Sequence, residues 1–320
     1  MSLVDSHRET FDDLHALVER FFGATFSTDN PIITEAIKRM LAAGGKRLRP
    51  RITLLATDAC GGNAVEQLYL AAYMELIHVA TLVHDDVVDN ARTRRGVNAT
   101  AVDYGNRVSV LAGDYLFAWI FKNVTANYPH PIPHVLSATL ADICDGEVLQ
   151  LQALGNLDLP LETYVEIARK KTASLFAASA QCGAIVGGGS AGEIEALREF
   201  GEHFGVAFQM RDDLLDMTAD ERSLGKPAGN DLAERKTTIP LIAALASGDG
   251  GFRTEVSRFY DDGDNAAIPA IVQAIDREGG LAATRLEIRR FAELAKAALE
   301  PIRPGAAKRE LAKITDALVE

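Results

Sequence analysis

Cysteine is scarce in this chain. Its three copies, Cys60, Cys144 and Cys182, are odd in number, far apart and without CxxC or CxxH spacing. The pattern argues against a disulfide framework or a zinc site and predicts buried, reduced thiols in a cytoplasmic protein. A surplus of basic charge is also lacking. The formal net charge is −12, which speaks against nucleic acid or an anionic membrane as the main partner. It leaves phosphorylated ligands open, because bound metal ions reverse the local sign of a site. No basic start followed by an apolar core opens the chain, since Asp5, His7, Arg8 and Glu9 come almost at once, so a secretory leader is not expected. The longest uncharged stretch, Thr172 to Gly192, has about the length of a membrane span. It is full of Ala, Ser and Gly and includes Gln181, and it reads better as a buried helix packing through small residues. No series of alternating strands, tandem repeat, heptad array or low-complexity linker appears.

What is present is helical periodicity. With 48% AVILMFWYC and 24% charged residues the chain has enough apolar material for a sizeable core. Helices are predicted over 4–22, 31–43, 65–88, 108–126, 134–154, 161–186, 191–217, 238–246, 255–260, 266–278, 281–299 and 306–318. Pro31 and Pro160 fall at helix entries, and Gly44-Gly45, Gly61-Gly62, Gly187-Gly188-Gly189 and Gly279-Gly280 mark exits or turns. The segments 65–88 and 161–186 are apolar nearly all round, as in the middle of a large bundle. No composition shift divides the chain. The expectation is one all-α domain over 1–320, a large single-domain helical bundle around a central cavity.

Two DDxxD motifs break the apolar pattern. They are Asp85-Asp86-Val87-Val88-Asp89 and Asp212-Asp213-Leu214-Leu215-Asp216, 127 residues apart (212 − 85). In a helix, positions i, i+3 and i+4 share a face, so each motif aims its carboxylates the same way. Carboxylates that close repel and raise one another's pKa unless a cation compensates. One acidic cluster alone reads as a solvated helix end. Two clusters in apolar helices, each followed by basic residues, read as a site for several Mg²⁺ ions, each held by one or two carboxylates, with water and substrate phosphate completing the shell.

The basic residues come in four groups. Lys46, Arg47 and Arg49 follow the Gly44-Gly45 turn; Arg94-Arg95 follow the first DDxxD; Lys170-Lys171-Thr172 interrupt an apolar helix; Lys226 and Lys236 follow the second DDxxD. Singly, each reads as a surface cation. Their recurrence beside carboxylates and glycine turns makes diphosphate binding the better joint account.

The strings GGKRLRP, ELIHVATLVHDDVVDNARTRRG, GEVLQL, KTASLF, FQMRDDLLD, GKPAGNDL and KTTIPL, in this order from about Gly44 to Leu241, resemble the trans-isoprenyl (polyprenyl) diphosphate synthase family. The resemblance implies an isoprenoid synthase-like fold and a homodimer. It makes Asp85, Asp86 and Asp89 the first Mg²⁺-binding motif and Asp212, Asp213 and Asp216 the second. Among these Asp85, Asp89 and Asp212 are the direct ligands. Arg94, Lys171, Lys226 and Lys236, with Thr172 and Gln209 nearby, correspond to contacts to an allylic diphosphate, farnesyl or similar. Lys46, Arg49, His78 and Arg95 correspond to the isopentenyl diphosphate pocket. His78, which by itself reads as a satisfied core histidine, precedes Asp85 by seven residues, about two helical turns, and shares its face. The implied reaction ionises the allylic diphosphate and alkylates the double bond of isopentenyl diphosphate, in an apolar cavity that keeps water from the cation.

In this family, positions four and five before the first DDxxD help set product length. Here they are Thr81 and Ala80, small enough to leave a passage open and to imply a medium- or long-chain, octaprenyl-like product for quinone side chains. Ala80 packing against a neighbouring helix is the plainer account; with the passage open past Ala80, its floor would lie on another helix, near Leu136 or Leu140. A geranylgeranyl- or farnesyl-length product is the nearest alternative, followed by a terpene cyclase and a non-catalytic regulatory subunit; the complete second motif speaks against the last two. Two residues depart from the family pattern: Arg235, where many relatives carry glycine, and Arg211, where an apolar residue is common.

Overall fold

The computed structural model describes residues 28–42, 44–94, 97–218, 229–248 and 250–320; the helix expected over 4–22 lies outside them. The fold is all-α. Contacts group into two compact units, the described part of Met1–His134 with Ser179–Ile194, and Val135–Ala178 with Glu195–Glu320.

The first unit is built on α1 (Pro31–Ala42), α2 (Leu48–Ala59), α3 (Leu68–Val88), the short α4 (Thr100–Tyr104) and α5 (Asn106–Asn127). Asn30 starts α1: its side-chain oxygen accepts from Ile32 N at 3.0 Å, and Pro31 fills the first helical position, where a missing N–H costs nothing. Helix α3 is buried nearly all round, from Leu70 through Ala80 apart from His78, as its uninterrupted apolar run requires. A 3-10 turn, Ala64–Gln67, leads into it where the sequence pattern predicts α-helix from 65. The small residues at 179–189 let two backbones meet. A Cβ on Gly183 would lie 2.3 Å from the Thr53 carbonyl oxygen, and one on Gly187 would lie 2.6 Å from that of Thr57. No helix among the described residues is long and apolar enough to cross a membrane.

Helix α2 is the longest described helix that the periodicity misses; the short α4 and α10 also lie outside the expected ranges. In α2, Pro50 sits in the first turn, where proline is tolerated, and Arg47 just before the helix with Arg49 and Arg51 within it dilute its apolar signal although most of the helix is buried. A two-residue antiparallel pair, β1 (Thr93–Arg94) and β2 (Val97–Asn98), is likewise too short to show as alternation.

The second unit takes residues from α6 (Ile132–Gln152), α7 (Leu161–Ala168), a π-helical turn (Arg169–Ala173), α8 (Ser174–Val186) and α9 (Ala191–Thr218). The expected continuous helix 161–186 is therefore one helix with a π-bulge at Lys171-Thr172. Phe176 packs edge-on against Phe204 and tilted against Phe208, with ring centroids 5.2 Å apart in both cases. Gly205 makes the approach possible, since a Cβ there would fall 2.4 Å from Ala173 Cα. The C-terminal part consists of α10 (Asn230–Ala233), α11 (Ile239–Ser247), α12 (Gly250–Asp262), α13 (Ile268–Arg277), α14 (Gly280–Ala298) and α15 (Ala306–Asp316), with α11 packed along α14. The three cysteines are free, but only Cys182 is buried; Cys60 is half-buried and Cys144 exposed, so the expectation of buried thiols holds at one position.

Candidate active site

Both acid motifs lie at helix C-termini. Asp85 and Asp86 are in the last turn of α3 and Asp89 is its C-cap; Asp216 is in the last turn of α9, with Asp212 and Asp213 one turn earlier. That is the wrong end for anions, because the helix dipole is negative there and lysine or arginine is normally favoured. Each cluster thus combines mutual repulsion with an unfavourable dipole, an arrangement that a bound cation relieves.

In the first unit Asp86 is fully enclosed. Its Oδ1 accepts from Arg94 Nε at 2.6 Å, while its buried Oδ2 has no hydrogen-bond partner. Burial pushes the Asp86 carboxyl up, against the opposing pull of Arg94. The hairpin β1–β2 carries Arg94 back onto α3 after the helix ends at Val88 and Asn90, with a φ of 52°, turns the chain. His84, just before the motif, is wedged against α5: its Nε2 lies 3.0 Å from the Val110 carbonyl oxygen and 3.4 Å from Asp114 Oδ1. His78 and Thr81 are half-buried, the Thr81 hydroxyl donating to the His78 carbonyl at 2.8 Å, and Ala80 is completely buried. Lys46 is exposed and Arg49 buried at the start of α2. Arg95 lies outside the described residues.

In the second unit a chain of hydrogen bonds joins residues that sequence spacing leaves far apart. Thr172 Oγ1 donates to Gln209 Oε1 at 2.6 Å, Gln209 Nε2 donates to Asp213 Oδ1 at 2.8 Å, and the Tyr164 hydroxyl donates to Asp213 Oδ2 at 2.5 Å. Asp213 is therefore turned inward and satisfied at both oxygens. Burial raises its pKa to about 6, opposed by the Tyr164 and Gln209 hydrogen bonds, with Asp212 and Asp216 adding to the rise. Burial, reinforced by Asp213, holds the Tyr164 phenol far above its ordinary range. Lys171 donates to Gln150 Oε1 at 2.7 Å and pairs with Glu147, both on α6. The π-bulge sets this orientation by shifting Lys171 and Thr172 out of register with the turns on either side.

Asp212 is exposed, and Asp216 is buried with its Oδ2 accepting from Asp231 N at 3.0 Å. The short helix α10 also brings Lys236 here: its amide donates to the Asp231 carbonyl at 2.8 Å and its ammonium pairs with Glu234 at 2.5 Å. Arg235, the departure noted above, has φ 58°, a left-handed conformation in which glycine is the natural choice. Arg211 is half-buried on α9. Lys226 lies outside the described residues. Sequence reasoning did not single out Tyr164, Glu147 or Gln150; the last two lie within the string GEVLQL.

Among the described residues no three of His, Cys, Asp and Glu converge into a ready-made metal cage. The donor set nevertheless fits a hard divalent cation. It is all carboxylate, it includes the unpartnered buried Asp86 Oδ2, and Mg²⁺ needs only one or two protein carboxylates when phosphate and water supply the rest.

The family model described as Polyprenyl synthetase matches residues 30–276. The chain belongs to the polyprenyl synthetase family. It is 36% identical over 275 residues to the octaprenyl diphosphate synthase of Escherichia coli, covering 86% of this chain and 85% of that one. Against a short chain isoprenyl diphosphate synthase of Methanothermobacter thermautotrophicus it is 36% identical over 292 residues, 90% of each chain. The crystal structure of a polyprenyl synthase from Caulobacter crescentus, complexed with calcium and isoprenyl diphosphate, superposes with a TM-score of 0.91 at 35% identity over 99% of both chains. Membership in the polyprenyl synthetase family extends the likeness beyond the motif-bearing stretch 44–241, into the helices on either side.

Proposed function

We propose that this chain, working as one all-α domain, is a Mg²⁺-dependent prenyltransferase. It condenses an allylic diphosphate, farnesyl or similar, with isopentenyl diphosphate, head to tail and all-trans. The product is a medium- or long-chain polyprenyl diphosphate of the kind used for quinone side chains. The observation that carries this reading is the pair of complete acid motifs at helix C-termini, each beside arginine or lysine.

Asp85, Asp89, Asp212 and Asp216, with the unpartnered Oδ2 of Asp86, would hold Mg²⁺. The metal supplies charge neutralisation to the diphosphate as its carbon–oxygen bond breaks. Asp86 and Asp213, both enclosed, would fix the orientation of the two motifs, Asp86 through Arg94 and Asp213 through Tyr164 and Gln209. Lys171, Lys226, Lys236, Arg94, Thr172 and Gln209 would bind the allylic diphosphate. Lys46, Arg49, His78 and Arg95 would hold isopentenyl diphosphate without ionising it. The departing diphosphate would take the proton lost after coupling, so the reaction needs no protein base. A homodimer with one such site per chain completes the proposal.

Product length tests it. Incubation with labelled isopentenyl diphosphate and farnesyl diphosphate is expected to give a ladder that passes geranylgeranyl diphosphate. A ladder that stops there would replace the long-chain reading with a short-chain one, for which the relative named as a short chain synthase is the precedent. No coupling at all, with Mg²⁺ and both substrates present, would remove the reaction class itself.

A further inference from the structure

Arg47 has the backbone of a glycine and the burial of a core residue. Its φ of 47° and ψ of 39° lie in the left-handed region that side chains with a Cβ rarely adopt. Its guanidinium is enclosed: Nη1 donates to Glu75 Oε1 at 2.8 Å, and Nη2 donates to the Leu41 carbonyl at 2.7 Å. The side chains of Arg47 and Glu75 are 1% and 3% exposed. Leu41 belongs to the last turn of α1, whose carbonyls have no partner within the helix, so one guanidinium ties α1, the glycine turn and α3 together.

Stability alone is a poor reason for such a pair. Desolvating two charges offsets most of their attraction, and apolar residues of similar volume commonly do as well. What the pair does fix is geometry. Arg47 stands between Lys46 and Arg49, and Glu75 stands three residues before His78, on the same face of α3. At the helical rise Glu75 lies roughly 4.5 Å along the axis from His78 and roughly 15 Å from Asp85.

We infer that the Arg47–Glu75 ion pair is the positioning element of the isopentenyl diphosphate pocket, holding Lys46 and Arg49 in register with His78. The inference rests on the reading of Lys46, Arg49 and His78 as that pocket. Neither Arg47 nor Glu75 touches substrate in this account; each acts through its neighbours in the chain.

The test uses the full-length protein in two variants. Glu75→Asp keeps the charge and withdraws the carboxylate by one methylene. The double variant Arg47→Met/Glu75→Leu removes both charges and keeps the volume. Isopentenyl diphosphate binding is measured by calorimetry without allylic substrate, KM is measured for both substrates, and folding is followed by thermal melting. The expected result is isopentenyl diphosphate binding weakened roughly 10- to 100-fold in both variants, as for groups displaced by about 1 Å. The allylic KM should stay within about twofold, because only one binding term is lost. If one variant does not fold, the other decides. Parental isopentenyl diphosphate affinity in a folded variant, or equal weakening toward both substrates, would overturn the inference. Lys46→Ala separates the two levels: if it too leaves isopentenyl diphosphate binding unchanged, the pocket assignment itself falls.

Discussion

A Cβ atom on Gly146 would lie 2.5 Å from the backbone nitrogen of Lys171 and 2.8 Å from the Cβ of Lys170. Only glycine lets α6 come this close to the π-bulge, and the approach is what brings Glu147 and Gln150 to the Lys171 ammonium. Backbone cannot yield as a flexible side chain does, so Gly146→Ala must push the two segments apart. Overpacking of this kind costs about 1–3 kcal/mol. We expect a lower melting temperature and a loss of kcat/KM for the allylic substrate that exceeds the loss for isopentenyl diphosphate. Steady-state kinetics with each substrate varied in turn would check this, and equal losses would show that the contact serves the fold alone.

Tyr164 is the second point of leverage. Its hydroxyl donates to Asp213 at 2.5 Å, and both groups are buried. Tyr164→Phe keeps the ring and removes that donor, leaving Asp213 with Gln209 alone. Hydrogen bonds to charged groups contribute about 1.5–3 kcal/mol. Stability to urea should fall by that order, and turnover should fall about 10-fold as the second acid motif loses its anchor. Stability lost with turnover and both KM values intact would make Tyr164 a core residue and nothing more.

The acid clusters predict a trade between stability and activity. Asp85→Asn removes one negative charge from the last turn of α3, where the dipole disfavours it. In metal-free buffer the variant should be more stable by about 0.3–1 kcal/mol. With Mg²⁺ and both substrates it should be slower by at least about 100-fold, a transition-state loss of roughly 2.7 kcal/mol. Parallel melting and activity measurements would decide, and a variant that is less stable without metal would contradict the account of the cluster as strained.

These relationships also show where the sequence is readable. Both DDxxD motifs stand out in the sequence because their spacing is local, putting Asp85 with Asp89 and Asp212 with Asp216 on one helix face; the inward turn of Asp213 toward Tyr164 and Gln209 does not show there. The helix ends are close for the same reason, with 191–217 expected and Ala191–Thr218 found. Helix α2 is not legible, since Arg47, Arg49 and Arg51 mask its burial and Pro50 reads as a stop. Tyr164 is invisible because its partner lies 49 residues away, and a lone tyrosine on an apolar helix carries no pattern. The π-bulge shifts register by a single residue, which periodicity over a long helix absorbs.

Ala80 offers a test of product length. It is completely buried on α3, one turn before Asp85, while Thr81 beside it is half-buried. If Ala80 borders the passage for the growing tail, Ala80→Phe should shorten the product by whole five-carbon units and leave the first condensation intact. If it only packs against its neighbours, an added ring is overpacking and lowers stability by about 1–3 kcal/mol without changing the product. Chromatographic sizing of the product beside a melting curve separates the two outcomes, and an unaltered ladder would remove Ala80 from the passage.

His203 gives the fold a pH dependence of its own. It is half-buried on α9, its ring centroid 6.1 Å from that of Phe291, and burial holds its pKa below the usual imidazole value. Glu202 and Glu199 pull in the opposite direction, and Arg169 and Arg198 add to the lowering. The unfolded chain takes up a proton near about pH 6.5, whereas folded His203 does so only at lower pH. As pH falls through this window the unfolded state binds more protons, so stability is lost; above about pH 7.5 both states are neutral and His203 contributes no slope. His203→Gln removes the titration. Urea unfolding midpoints measured between about pH 5 and 8 should therefore fall more steeply in the wild type than in His203→Gln, with the two curves parallel at the alkaline end. Curves that stay parallel throughout would mean that His203 titrates alike in the folded and unfolded chains.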